Sequence, residues 1–204
     1  MNIQYWIRMK TIVITGASGS GKTFLSQKIK HDLNNTIVVR TDSYYKDNLI
    51  IKFLSFFMND IYDRIISINE TDIKKTIDSI YSNKKEIIFY KYDFKRKKST
   101  KSLREKEFKT KFLIVEGIFS HRIGINYKNS INIICKTDKE ICYQRRLNRD
   151  QLERGRNRKE ITTRFNKSWN LFFKHLTRYK KNNLVHELNP VHEISYKKII
   201  NKII

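Results

Sequence analysis

The sequence is poor in the residues that break or staple a chain. Its 204 residues include one proline, six glycines and two cysteines. No Pro/Gly/Ser-rich linker divides it and no internal repeat recurs. A single domain over 1–204, long enough to bury a proper core, is therefore expected. The two cysteines, Cys135 and Cys142, fit neither a Cys-x-x-Cys motif nor a disulfide framework. The five histidines show no metal-ligand spacing, so no zinc site is expected. No run of about 18 apolar residues occurs, which argues against a transmembrane helix. The opening MNIQYWIRMK lacks an apolar signal-peptide core and reads as an N-terminal extension over 1–10. A cytoplasmic protein with no membrane partner is the expectation.

Acidic residues are also scarce. Twenty Asp and Glu face 43 Lys and Arg, a net charge of +23. Two readings stay open. Excess cations attract polyanions, so nucleic acid is one partner to consider. The alternative is a compositional bias, since the chain is rich in Lys, Asn and Ile and its lysines are spread throughout. Under either reading a basic surface favours anionic ligands such as ATP.

What is present is an alternation of apolar runs and helical patterns. TIVIT (11–15), TIVVRT (36–41), EIIFY (86–90), KFLIVEG (111–117) and SINIICKT (130–137) are apolar on successive residues, with a weaker run NNLVHEL (182–188). Such runs suit parallel strands buried on both faces. Between them lie helical patterns at 22–33, 70–81, 137–155 and 160–180. The last carries Ile161, Phe165, Trp169, Phe172, Phe173 and Leu176 at helical spacing, a stripe best suited to core packing. The alternation predicts an α/β domain with a parallel sheet. Ligands of such sheets sit at the carboxyl ends of the strands.

One such end holds a phosphate-binding pattern. Gly16-Ala17-Ser18-Gly19-Ser20-Gly21-Lys22-Thr23 fits G-x-x-x-x-G-K-[ST] between a strand and a helix. Its glycines let backbone amides turn inward onto phosphate oxygens, and the following helix aims its first amides at the same anion. Lys22 would reach the β- and γ-phosphates, and Thr23 would hold Mg²⁺. Two more strand ends carry acids: Asp42 in TDSYYKD and Glu116 in VEG. One acid could serve the metal and another the proton of an acceptor hydroxyl, or each could cap a turn.

The segment QRRLNRDQLERGRNR (144–158) holds six arginines against Asp150 and Glu153. Helical spacing pairs Arg146–Asp150–Arg154 and Arg149–Glu153. The surplus of cations also fits an arginine-rich lid over about 145–160 that closes on a triphosphate. FYKYDF (89–94) reads equally as an edge strand with a turn or as a substrate wall, and KRKKSTK (95–101) as a solvated loop.

GASGSGKT, TDSYYKD, YDF, IVEGIF and RRLNRDQLERGR follow one another in the order seen in uridine kinases. From about residue 11 to 190 the chain resembles the uridine kinase and phosphoribulokinase group of P-loop kinases, uridine–cytidine kinase most closely. The resemblance implies a P-loop NTPase fold with a five-stranded parallel sheet flanked by helices. It implies transfer of the γ-phosphate of ATP or GTP to the 5′-hydroxyl of a pyrimidine ribonucleoside. By position, Asp42 would activate that hydroxyl, with Lys22 and Arg149 beside it in catalysis. Gly16, Ala17, Ser18, Gly19, Ser20, Gly21, Lys22, Thr23, Arg149 and Arg154 would hold the donor. Thr23, Asp42 and Glu116 would surround Mg²⁺. Asp42, Tyr45, Asp63, Tyr92, Arg146 and Arg156 would face the nucleoside. The family is often oligomeric, which leaves a homo-oligomer open. Two segments depart from the family pattern. IYDRIISIN stands where the family has FDHPDAFD, with Asp63 as its counterpart. KRKKST stands where the family has a base-contacting histidine, with Lys97 near that place. Another small hydroxyl acceptor and a nucleic-acid-binding P-loop protein are the competing readings.

Overall fold

A computed structural model describes residues 9–58, 60–106, 108–126 and 129–204. Of the expected extension over 1–10, residues 1–8 lie outside the described residues, while Lys10 already belongs to the first strand. The first strand, β1 (Lys10–Thr15), is central. Ile12, Val13 and Ile14 are wholly buried, as a strand covered on both faces requires. Beside it run β5 (Phe112–Glu116) and β6 (Ser130–Cys135), then β2 (Thr36–Arg40) and β7 (Val185–Leu188) at the edges. The order β2-β5-β1-β6-β7 is parallel throughout, in the register Ile12↔Ile114 and Ile14↔Ile133. The five-stranded parallel α/β sheet flanked by helices is thus present. The weakest of the strand-like runs supplies its outer strand, β7.

Helices cover both faces and create two cores. On one face, α1 (Lys22–Asp32) buries Leu25 and Ile29, and α6 (Glu193–Ile203) buries Tyr196, Ile199 and Ile203. On the other, α3 (Glu70–Tyr81) buries Ile73, Ile77 and Ile80 beside Phe172 and Leu176 of the long α5 (Arg158–Asn182). The residue choices at the helix ends are physical. Asn69 and Asn157 accept hydrogen bonds from the amides of Asp72 and Glu160, capping α3 and α5. The helix α4 (Lys139–Arg154) stops at Gly155, whose φ of 63° is left-handed. Among the described residues, no helix is long and apolar enough to cross a membrane.

Three local expectations need correction. The run at 86–90 does not join the parallel sheet. It belongs to β3 (Glu86–Asp93), which pairs antiparallel with β4 (Lys98–Glu105) in a separate two-stranded ribbon. KRKKSTK is not a loop throughout, because β4 begins at Lys98. Asp93 Oδ1 accepts the amides of Lys95 and Arg96, so the turn is confined to the residues between the strands. A short helix, α2 (Leu49–Phe57), and the terminal α6 lie where no helical pattern was assigned.

Candidate functional site

The carboxyl ends of β1, β2 and β5 meet the arginine-bearing end of α4 in a cleft of about 420 Å³. Its donor end is the loop after β1. Gly19 and Gly21 have φ of 85° and 88°, a conformation that L side chains rarely adopt. A Cβ on Gly16 would clash with Ser20 Oγ and lie 2.9 Å from Cys135 Cβ, and one on Gly19 would clash with the Cys142 carbonyl. Lys22 is buried, and its Nζ donates to the Ala17 carbonyl oxygen at 3.0 Å across the loop. Ser18, Gly19, Gly21, Lys22 and Thr23 line the cleft, whereas Gly16, Ala17 and Ser20 are buried beneath it. Ser20 Oγ has no partner there.

Glu116 and Asp42 come together from neighbouring strand ends. Thr23 Oγ1 donates to Glu116 Oε1 at 3.1 Å, and Arg40 Nε at the end of β2 lies 3.4 Å from the same oxygen. Burial pushes the Glu116 carboxyl above its ordinary range, with the Lys22 charge opposing that shift. Asp42 sits in the 3-10 turn after β2, where its Oδ1 accepts the Ile118 amide at 3.3 Å. That approach depends on Gly117, whose φ is 149°. A Cβ on Gly117 would clash with Thr41 Oγ1 and sit 2.9 Å from Asp42 Oδ1.

These residues fit a Mg²⁺–nucleotide. The loop is a cradle that a single Cβ would fill, and it carries a buried lysine and a buried hydroxyl, Ser20 Oγ, with no hydrogen-bond partner. Thr23, Asp42 and Glu116 offer oxygen ligands only, as Mg²⁺ prefers. No cluster of three or more His, Cys, Asp or Glu exists among the described residues. An ion held here would draw further ligands from phosphates and water.

Arginines crowd the opposite wall. Besides Arg40 next to Glu116, six line the cleft: Arg145, Arg146, Arg149, Arg154, Arg156 and Arg164. The segment at 145–160 is not an irregular flap but the second half of α4, an elbow at 155–157 and the first turn of α5. Its organiser is Asp150, whose side chain is fully buried. Its carboxylate lies 3.6 Å from Arg146, 2.7 Å from Arg149, 3.4 Å from Arg154 and 3.0 Å from Arg156. The predicted i,i+4 pairs of Asp150 are both present, while Arg149 turns to Asp150 rather than to Glu153. The clustered guanidinium groups hold the Asp150 carboxyl below the usual carboxylate range against the opposing effect of burial. Burial and the neighbouring Arg149 and Arg156 in turn lower Arg154 to about 10. Arg149 and Arg145 reach the donor loop, at 3.4 Å from Ser18 Oγ and 3.3 Å from the Gly19 carbonyl oxygen.

The acceptor end is aromatic. Tyr45, Tyr62, Tyr92 and Phe94 pack with ring centroids 5.1–5.9 Å apart. The Arg154 guanidinium lies 3.7 Å from the Phe94 centroid, a stacking distance. Asp63 Oδ2 accepts from Arg146 Nη2 at 3.0 Å, and Arg146 Nη1 donates to Ser168 Oγ at 2.7 Å. The hydroxyls of Tyr62 and Tyr92 and the Nε atoms of Arg146 and Arg164 are buried without a hydrogen-bond partner, although Arg146 Nε faces Asp150 Oδ2 at 3.6 Å.

Most of the expected site residues therefore converge, and Tyr92 does not. Tyr92 stands behind Tyr45 and Phe94 and lines the adjoining groove rather than this cleft. Lys97 is drawn away onto α2, where it donates to Ser55 Oγ at 3.0 Å. Sequence reasoning missed Arg40, Tyr62, Phe94, Arg145, Arg164 and the role of Asp150. Tyr62 and Phe94 each lie within a segment already singled out, IYDRIISIN and FYKYDF. Arg164 had only its i,i+4 spacing from Glu160 to mark it.

The chain is similar to known proteins on three counts. The model of the Phosphoribulokinase / Uridine kinase family matches residues 11–194. A uridine kinase of Schizosaccharomyces pombe is 30% identical over 79% of the chain, which spans 36% of that protein's length. A uridine kinase of Serratia proteamaculans is 29% identical over 77% of the chain and 76% of its own length. The solved structure of the YGR205w protein superposes with a TM-score of 0.59 at 13% identity, covering 89% of this chain and 87% of that one, a likeness of fold.

Proposed function

The chain belongs to the phosphoribulokinase/uridine kinase family of P-loop kinases, which use a nucleoside triphosphate donor, and on that premise we propose that it moves the γ-phosphoryl group of ATP or GTP to the 5′-hydroxyl of uridine or cytidine. The observation that carries this reading is the placement of Asp42. It stands at the junction of the donor loop and the aromatic acceptor end, beside Glu116 and Thr23. The acceptor oxygen attacks the γ-phosphorus, the bond to the β-phosphate oxygen breaks, and the hydroxyl proton passes to the Asp42 carboxylate. Lys22, Arg145 and Arg149 line the cleft beside the donor loop and would supply the cations for charge that builds on the transferring oxygens. Bound Mg²⁺, held by Thr23 with Asp42 and Glu116, would neutralise phosphate charge.

Arg164 favours a second reading, another small acceptor that carries negative charge. Arg146, Arg156 and Arg164 all line the cleft beside Asp63; Asp150 and Glu160 pair with them from behind, and the buried Nε of Arg164 makes no hydrogen bond. The test is product formation from ATP and Mg²⁺ with uridine, cytidine and a panel of neutral and phosphorylated acceptors, with Lys22→Ala as control. Control-sensitive UMP or CMP supports the pyrimidine nucleoside. Product confined to a phosphorylated acceptor, lost in Arg164→Gln, supports the second reading and overturns the first.

A further inference from the structure

The most anomalous surface on the molecule is α2. Its sequence, LIIKFLSFF, contains one charge, Lys52. The helix is firmly seated. Asn48 Oδ1 accepts the Ile51 amide at 3.0 Å, Ile51 is buried, and Leu54 packs against the core. Yet the opposite face is a stripe of Leu49, Ile50, Phe53, Phe56 and Phe57, each 62–82% exposed. Their positions i, i+1, i+4, i+7 and i+8 form one helical face. The five side chains present on the order of 600 Å² of apolar surface, the upper end of what a monomer leaves in water.

Cations frame the stripe. Lys46 precedes the helix and Lys52 lies on it. The turn of the β3–β4 ribbon adds Lys95, Arg96 and Lys98, while Lys97 lies over the Phe56 ring at 5.4 Å. Two acids lie nearby: Asp93, which accepts the turn amides and sits 4.0 Å from Arg96, and Asp47, which accepts the Ser99 amide. The cations still outnumber them, six to two, and an apolar helical face with a net basic rim is the pattern of a helix that lies in the headgroup region of an anionic bilayer. A second copy of this chain is a poorer occupant. Pairing two stripes would bring two cationic rims together on molecules of charge +23. A nucleic acid would match the rim but leave the five apolar side chains in water.

We propose that α2 and the ribbon turn form a docking surface for anionic lipid headgroups, with Leu49, Ile50, Phe53, Phe56 and Phe57 inserting at the acyl boundary. No span is involved. The hydropathy pattern that argues against a transmembrane helix does not register a peripheral contact of this kind.

The test is sedimentation of the full chain with phosphatidylcholine vesicles, with and without phosphatidylserine, beside the double variant Phe53→Glu/Phe56→Glu. Both residues are exposed and lie outside the cleft, so circular dichroism and phosphoryl transfer should match the parent. The parent should pellet with phosphatidylserine vesicles only, more weakly as salt rises. The double variant should bind about a hundredfold less. Lys95→Glu/Arg96→Glu should weaken binding without changing the apolar stripe. Four results overturn the proposal: no vesicle binding by the parent, equal binding by the Phe double variant, a dimer that this variant dissociates without vesicle binding, or retention by single-stranded RNA alone.

Discussion

Replacing Asp150 with asparagine removes one negative charge from a point where four guanidinium groups converge. Its side chain has no exposure, and all four arginines lie within 3.6 Å. Removing one partner of a buried ionic cluster costs about 3–5 kcal/mol, because the remaining charges are left uncompensated. Arg149 is 35% exposed and can turn to water, which places the expected loss near the lower bound, about 3 kcal/mol. The sign with pH follows from the lowered Asp150 pKa. Its contribution is complete above the unfolded value near 3.9 and disappears as pH falls through the lower folded value. Urea denaturation of parent and Asp150→Asn should therefore differ by about 3 kcal/mol at pH 7, and the gap should narrow below pH 4. Asp150→Glu should recover part of the loss, and the Michaelis constant for ATP should rise in Asp150→Asn because Arg149 loses its anchor. A difference under about 1 kcal/mol at pH 7, or one that persists undiminished in acid, would refute the claim that this carboxylate organises the arginines.

Asp42→Asn should lower turnover by about 10² to 10⁴ while ATP binding, read by calorimetry, stays nearly intact. Lys22→Ala should abolish transfer. Gly117→Ala should push Thr41 and Asp42 from the end of β5, costing about 1–3 kcal/mol in urea denaturation and at least about a hundredfold in kcat. His121 is buried against Phe172 and Tyr179, with Nδ1 2.9 Å from Thr15 Oγ1, and burial lowers its pKa to about 3. A lowered histidine pKa stabilises the fold above the unfolded value near 6.5 and loses that contribution as pH falls toward 3. NMR titration should find the His121 ring neutral at pH 5, and a midpoint near 6.5 would contradict this placement.

Short-range chemistry was legible in the sequence. The donor loop is contiguous, so its eight residues declared both fold and ligand class. Asp42 and Glu116 could be placed because the strands before them are unbroken apolar runs that end at recognisable turns. Long-range geometry was hidden. EIIFY is as apolar as a sheet strand, and nothing local says that its partner is β4 rather than β2. LIIKFLSFF has no polar face to display a helical period, so α2 left no signal. The i,i+4 rule recovered two of Asp150's partners. Arg149 is its sequence neighbour, and Arg156 returns to it only because the chain turns at Gly155.

The contact between the donor loop and α4 braces the cleft mechanically. A Cβ on Gly19 would collide with the Cys142 carbonyl, Thr137 Oγ1 donates to the Ser20 carbonyl oxygen at 3.0 Å, and Arg145 donates to that of Gly19. Loop and helix are thereby fastened together, and the cations of α4 are registered to the phosphate cradle before any ligand arrives. The first articulation along the chain is the elbow at 155–157. Beyond it α5 is tied back to α4, because Arg156 reaches Asp150 at 3.0 Å, Ser168 accepts from Arg146 at 2.7 Å and Tyr143 and Thr162 share a hydrogen bond at 2.8 Å. The frame that registers cations to the phosphate cradle therefore extends across the elbow to the arginines at the far end of the cleft.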